Sequence, residues 1–321
     1  MNKRHAMTLV AAAALSALAA GSATAAYPDK PVRFIVPYTS GGAADIVARK
    51  LALRMADQLG QPVVVENKPG ANTVLGAMAV AKAEKDGYTL LFVGGSTFLQ
   101  PMLNKNTPYQ TSDFTPISLV GKFPFVLITR GDLGASNPKE FADIARAKPG
   151  GLTYGHTGVG TTAHLLGEMI FQTMGVPVKG VPYKGGSQAM ADLVGGHIDA
   201  SLDALVTSVP AQATGKVRIV GTLGAERSPL APAVPTFAES GYPSLTLYSW
   251  TALFAPAGTP AAVIERINGA VQKSIANEEF RKQLIDGGQV PSHTTPAQTS
   301  KFIADDMALW GPFIKKLGIQ E

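Results

Sequence analysis

Apolar and polar positions along the chain switch repeatedly between two periods. Residues 32–37, apolar except for Arg33, read as a strand ended by the turn residues Thr39, Ser40, Gly41 and Gly42. From about Ala44 the period changes. Val47, Leu51, Met55 and Leu59 recur every four residues, while Arg49, Lys50, Arg54 and Asp57 fall on other faces. This spacing predicts an amphipathic helix, closed by Gly60. A strand at 63–65, a loop through Asn67, Lys68, Pro69 and Gly70, and a helix over 73–84 come next. Asp86 and Gly87 then turn the chain into a strand over 88–93. A strand-helix-strand-helix-strand order predicts a mostly parallel sheet covered by helices.

A second unit repeats the pattern. Asn137, Pro138 and Glu140 read as the N-cap, first-turn proline and capping-box acid of a helix reaching about residue 147. A strand at 152–154, a helix over 161–174 closed by Gly175, a strand at 178–181, a helix over 188–194 and strands at 198–202 and 217–221 follow. The tail reads as helical at 260–275, 278–285 and 296–317, with Thr295 as the last cap and Gly318 as the stop. Two connecting runs, 117–129 and 248–255, separate the units. With the tail packed on the first unit, the chain crosses between units twice. The expected architecture is therefore α/β: two lobes joined by two crossing strands, with a ligand cleft between them. Lobe 1 comprises 26–122 plus 249–321 and lobe 2 comprises 123–248. Such a hinge suits capture by closure.

Ahead of the first strand, Lys3 and Arg4 precede apolar and small residues over 6–20, and then Ala23, Thr24 and Ala25. A basic start, a short apolar stretch and small residues in an Ala-x-Ala pattern predict a secretory signal peptide at 1–25, cut after Ala25 or one residue later. The apolar stretch is shorter than the roughly 20 residues that span a bilayer; an uncleaved amphipathic anchor is the alternative. The expected location is the periplasm. The chain has no Cys, which excludes a lipid-anchored lipoprotein, disulfides and thiolate metal sites. Loss of Lys3 and Arg4 lowers the formal charge from +5 to +3. The basic residues are scattered without a stripe, so no nucleic-acid partner is expected. With 45% hydrophobic residues, a chain of this length can hold its fold by core burial alone.

Three segments follow predicted strands and precede predicted helices: 37–45, 94–98 and 155–164. In open α/β sheets ligands lie beyond the carboxyl ends of strands, where helix starts offer unpaired N–H groups and partial positive charge. All three segments are rich in Gly, Ser and Thr, and none holds Arg or Lys. An anion there would be held by amides, hydroxyls and water. The competing reading is that these are ordinary turns, where such residues serve geometry alone. Asp45 then compensates a helix dipole, and His197 is a turn residue. The spacing of Gly155, Gly158 and Gly160 is not a dinucleotide fingerprint, and no phosphate loop occurs. No Gly-x-Ser-x-Gly elbow or zinc-binding His pair is present. Neither catalytic residues, nor a metal, nor a cofactor is expected. A Ser-His-Asp triad can be drawn from His156 or His164 with Asp199 or Asp203, which leaves a periplasmic hydrolase as the remote alternative.

Several runs gain meaning together. Residues 27–38 (YPDKPVRFIVPY) lead into 41–49 (GGAADIVAR), then 65–71 (VENKPGA) and 113–117 (DFTPI). Residues 181–185 (VPYKG), 192–199 (DLVGGHID), 234–243 (VPTFAESGYP) and 255–260 (APAGTP) complete the series. In this order the chain resembles the Bug family, the solute-binding proteins of tripartite tricarboxylate transporters. The resemblance implies a periplasmic-binding-protein type II fold, closure of two lobes on a ligand, and no catalysis. It implies a small carboxylate as ligand: a di- or tricarboxylate, an aromatic acid or an acidic amino acid. Carried over, the first-lobe grip is Tyr38, Thr39, Ser40, Gly41, Gly42, Ala43 and Asp45, with Ser96 and Thr97 as further wall. The second-lobe grip is His156, Thr157, Gly158, Gly160, Thr161 and Thr162. Asp203 matches an aspartate that meets a ligand amine in amino-acid-binding members. Implied partners are the transporter's membrane subunits or, alternatively, a periplasmic sensor domain, with the receptor a monomer. The chain departs from the family pattern at Tyr38, Thr39 and Ser40, which make that wall more polar, and at His156, which adds a donor if it faces the cleft.

Overall fold

A computed structural model describes residues 27–318; the expected signal peptide lies outside the described residues. Strand β1 (Val32–Val36) leads into helix α1 (Ala43–Leu59), β2 (Val63–Asn67), α2 (Val74–Ala81), β3 (Thr89–Gly94), α3 (Ser96–Leu103) and β4 (Phe114–Phe123). Val47, Leu51, Met55 and Leu59 are all buried, so the four-residue spacing marks the face of α1 turned to the sheet. Gly60, left-handed at φ 75°, closes α1 as expected. Helix α2 stops at Ala81, short of the predicted residue 84. Its entry is unusual: Ala71, Asn72 and Thr73 lie consecutively at φ 43°, 48° and 78°, a left-handed run that side-chain-bearing residues adopt only under strain.

The second unit follows: β5 (Phe125–Arg130), α4 (Pro138–Ala147), β6 (Leu152–His156), α5 (Thr162–Met174), β7 (Val178–Pro182), α6 (Gly186–Val194), β8 (Ala200–Ala204), α7 (Leu205–Ala213) and β9 (Val217–Thr222). The predicted cap is in place, Asn137 accepting from the Glu140 amide. Helix α7 is absent from the sequence expectation. Pro210 lies inside it and Val206, Thr207 and Val209 are β-branched, features that argue against a helix locally. The chain returns in β10 (Ser249–Pro256), α8 (Ala261–Ala276), α9 (Glu278–Asp286), β11 (Val290–Pro291) and α10 (Pro296–Leu317).

The strands form two sheets. One has the order β11-β4-β10-β3-β1-β2 and the other β7-β6-β8-β5-β9. Strands β1, β2 and β3 are mutually parallel, as are β6, β7 and β8. Strand β10 runs antiparallel to both β3 and β4, and β5 runs antiparallel to β8 and β9. The run 117–129, expected as one connection, is two strands of different sheets. Pro124 breaks it, since it has no N–H to continue a ladder. The chain thus leaves the first sheet at Phe123 and returns at Ser249, two residues that are themselves paired. The architecture is two α/β lobes with a double connection. Every residue of β3 and of β10 is buried, as expected for strands covered on both faces.

The tail helices pack on the first sheet. Asn268 of α8 fixes this docking: its amide donates to the Ile117 carbonyl at 2.7 Å and to the Thr294 carbonyl at 2.8 Å. Asn268→Ala would leave both carbonyls without that donor, and each buried, unpaired group costs about 1–3 kcal/mol. Urea denaturation is expected to show a loss of about 2–3 kcal/mol; a loss below about 0.5 kcal/mol would contradict this role.

Candidate functional site

The first-lobe wall begins where β1 ends. The Tyr38 hydroxyl accepts the Gly94 N–H at 3.2 Å and lies 3.3 Å from the Ser96 hydroxyl. Burial pushes the phenol's pKa up, so the group is neutral. Gly94 has to be glycine here: a Cβ would come within 2.8 Å of the Trp250 carbonyl and 3.4 Å of the Tyr38 hydroxyl. Thr39, Ser40 and Gly41 are exposed, and Gly41 turns the chain at φ 82°. Asp45 is different. It is 2% exposed and accepts from the Gly41 N–H at 2.9 Å, Arg49 Nε at 3.0 Å and Asn67 Nδ2 at 2.8 Å. Burial alone would raise its pKa, but the bonds from Arg49, Gly41 and Asn67 outweigh it and hold the carboxyl below its ordinary range. Asp45 therefore fastens the loop from beneath and does not line a cavity.

Thr97 is likewise a support. It is fully buried, donates to the Thr73 hydroxyl at 2.8 Å, and its carbonyl accepts the Tyr109 hydroxyl at 2.7 Å. These bonds join the left-handed turn before α2 to the start of α3. The segment 94–98, expected as a loop, is largely the first turn of α3.

In the second lobe, His156 is 2% exposed and faces the layer between β6 and α5, where it stacks on His164 at 4.3 Å. Its departure from the family pattern does not put a donor into the cleft. His156 Nδ1 donates to the Gly158 carbonyl at 2.9 Å, and His164 Nδ1 accepts the Gly160 N–H at 3.1 Å. Thr161 caps α5 and donates to the same Gly158 carbonyl at 2.8 Å. Two imidazoles and one hydroxyl thus hold the loop from both ends, leaving Thr157, Gly158, Thr161 and Thr162 half-buried at its rim. Gly158 and Gly160 lie at φ 120° and 75°, which this tight path requires. Asp203 is half-buried at the end of β8, where one oxygen accepts the Ala204 N–H at 2.7 Å and burial pushes the carboxyl's pKa up.

Between the lobes lies a small, partly open pocket of about 30 Å³. Ala43 and Ala44 from the start of α1 line it, as do Ala204, Leu205 and Val206 from the start of α7. Phe123, Thr251 and residues 287–289 complete it. Helices α1 and α7 both begin without a side-chain cap, so first-turn N–H groups from both lobes are available at the pocket. Helices α4, α5, α9 and α10 are capped by Asn137, Thr161, Asn277 and Thr295. Helices α2, α3, α6 and α8 also lack side-chain caps, but none of them lines this pocket. Among the described residues no Lys or Arg lines it. Of the expected contacts, Ala43 lines the pocket and Asp203 adjoins its wall; Leu205, Val206, Thr251 and Gln289 were not expected. Among the described residues there is no cluster of His, Cys, Asp and Glu able to hold a metal.

The histidine pair makes stability depend on pH. Burial, and then the neighbouring His164, push His156 from 6.5 down to about 4, and burial lowers His164 as well. As pH falls below 6.5 the unfolded chain takes up protons that the folded chain still refuses. Stability is therefore complete above that value and declines toward pH 4, with His156 contributing on the order of 3 kcal/mol. Urea melts between about pH 7 and pH 4.5 should show this decline. His156→Asn, which keeps a donor for the Gly158 carbonyl, should flatten it; an unchanged slope would contradict the assignment.

Comparison with known proteins agrees with this architecture. Residues 47–319 match the model of the tripartite tricarboxylate transporter family receptor. Protein BugT of Bordetella pertussis is 35% identical over 308 residues, covering 95% of this chain and 94% of its own. MatC of Rhodopseudomonas palustris, solved with bound malate, is 31% identical with a TM-score of 0.79 over 90% of this chain and 100% of its own. The Rpa4515 protein of R. palustris, solved with adipate, is 30% identical with a TM-score of 0.84, over 92% and 99%. The family is one of solute-binding receptors, not of enzymes, which removes the hydrolase alternative. With the family model spanning most of the chain and the two-lobed fold in place, this protein belongs to the tripartite tricarboxylate transporter receptors, the Bug family.

Proposed function

We propose that this chain is a periplasmic receptor that captures a small carboxylate and delivers it to the membrane subunits of a tripartite tricarboxylate-type transporter. The observation that carries the reading is the pair of uncapped helix starts, α1 from one lobe and α7 from the other, meeting at a pocket with no Lys or Arg among its described lining residues. N–H groups and aligned dipoles from two directions favour an anion there. Malate in MatC and adipate in Rpa4515 support a dicarboxylate as the ligand class. In this reading Thr39, Ser40 and the amides of Gly41, Gly42 and Ala43 form the first-lobe grip, with Tyr38 and Ser96 behind them. Thr157, Gly158, Gly160, Thr161 and Thr162, which lie outside the pocket lining, form a further second-lobe wall in this reading, while Asp45, Thr97 and His156 hold these loops in place. Asp203 borders the site and disfavours a carboxylate directly against it. The lobes divide at 122/123 and 248/249, residues 1–25 are the export signal, and the receptor acts as a monomer.

Ligand binding to the folded state alone raises stability by about 2.7 kcal/mol at one hundred times Kd. Thermal unfolding with a panel of mono-, di- and tricarboxylates, aromatic acids and acidic amino acids is therefore expected to give a clear rise with at least one acid. A rise with neutral or cationic solutes only would overturn the proposal. Ala43→Asp separates helix stability from binding. An acidic residue in the first turn of α1 should leave the fold intact or slightly stabilised, yet weaken the bound acid about tenfold or more by like-charge repulsion. Calorimetric titration showing unchanged affinity would place the anion elsewhere.

A further inference from the structure

Two residues that line the interlobe pocket also carry polar atoms that the fold buries without a partner. Thr251 is 3% exposed and Gln289 is 7% exposed, and both line the pocket. The Thr251 hydroxyl and the Gln289 Oε1 are buried without a hydrogen-bond partner. They lie on either side of one residue. Thr251 of β10 pairs directly with Gly121 of β4, and the Gln289 amide rests on Gly121 so closely that a Cβ there would collide with Oε1. Native proteins rarely leave such groups unpaired, and two in one pocket call for a common partner.

We propose that this end of the pocket is a subsite for a ligand hydroxyl, which donates to Gln289 and accepts from Thr251. The inference rests on the carboxylate reading above and narrows it to hydroxylated small acids. Gln289 Oε1 can only accept, so its partner has to donate; the Thr251 proton needs an acceptor. A carboxylate only accepts and would face Oε1 lone pair to lone pair. An ammonium only donates, and it would sit in a pocket lined by the positive ends of α1 and α7 at Ala43 and Leu205. A hydroxyl satisfies both groups without charge. The remaining lining from Ala44, Phe123, Ala204 and Leu205 is apolar and suits the carbon chain of such a ligand.

The test is calorimetric titration of the full mature receptor with two matched pairs: L-malate against succinate, and 2-hydroxyadipate against adipate. In at least one pair the hydroxylated acid is expected to bind at least about tenfold tighter. In Thr251→Val and in Gln289→Leu that ratio should fall below about threefold, while the acid lacking the hydroxyl keeps its affinity within about threefold. Gly121→Ala, which keeps both side chains but pushes the flexible Gln289 amide aside, should reduce the ratio in the same direction. Should a variant fail to fold, the wild-type ratios decide: values near one in both pairs overturn the subsite. A preference that survives in both Thr251→Val and Gln289→Leu overturns it equally, and in either case the carboxylate receptor stands. If no carboxylate binds at all, both readings fall together.

Discussion

A helix cannot pair its own first N–H groups, and that constraint organises this molecule. At α4, α9 and α10 an Asn or Thr side chain supplies the missing acceptor, whereas α2, α3, α6 and α8 begin without one away from the pocket. At α1 and α7 the sequence supplies Gly42 and Ala204, which offer no side-chain acceptor. Those two starts belong to different lobes and line one pocket. A ligand with negatively charged oxygens, as proposed, would supply the acceptor that these two starts lack. In the second lobe, the two buried histidines spend their Nδ1 atoms on the Gly158 carbonyl and the Gly160 amide.

The charged and aromatic groups near the site serve to keep those backbone amides in place. Asp45 illustrates the balance. A carboxylate in the first turn of α1 stabilises the helix, yet it competes with any bound anion for the same dipole. Arg49 and Asn67 draw it sideways and inward, so its charge is neutralised within the lobe while its oxygen still fixes the Gly41 amide. The second lobe reaches the same end with neutral groups. His156, His164 and Thr161 hold a glycine-bearing loop that would otherwise be free to move. A rigid loop loses less conformational entropy when it binds, so the supporting residues matter to affinity without touching the ligand.

Much of this was legible in the sequence. The four-residue spacing through Val47, Leu51, Met55 and Leu59 marked α1 and its buried face, and Asn137 and Thr295 marked helix starts that the structure caps as expected. The glycine- and hydroxyl-rich segments were correctly located at strand ends. What escaped depends on side-chain direction or on distant pairing. His156 ends a strand, where one residue points to the cleft and the next to the core; only the stacking on His164 reveals which way the ring turns. Helix α7 was obscured by Pro210 and its β-branched residues, although it supplies half of the pocket's amide character. In the sequence Thr251 falls in the connecting run 248–255 and Gln289 in an unassigned stretch between two tail helices. Only the pairing of β10 and β11 with opposite edges of β4 brings them around Gly121.

The double connection at β4–β5 and β9–β10 turns these local facts into a mechanism for capture. Only contacts that differ between open and closed states can bias closure. A ligand resting on α1 alone would bind both states equally and shift nothing. The start of α7, in contrast, comes from the opposite lobe. Here the lobes come close: a Cβ built on Gly288 would reach ordinary van der Waals distance of α7, 3.7 Å from the Val206 nitrogen and from the Leu205 Cβ. Gly288 also sits at φ 73°, so no larger residue fits that turn without strain. The glycine lets the chain take this turn, which sets residues 287–289 beside the start of α7 in one pocket with Ala43 and Ala44. In the proposed reading, a ligand that touches both helix starts gains binding energy chiefly in the closed state, so the same unpaired N–H groups would both favour an anion and drive closure.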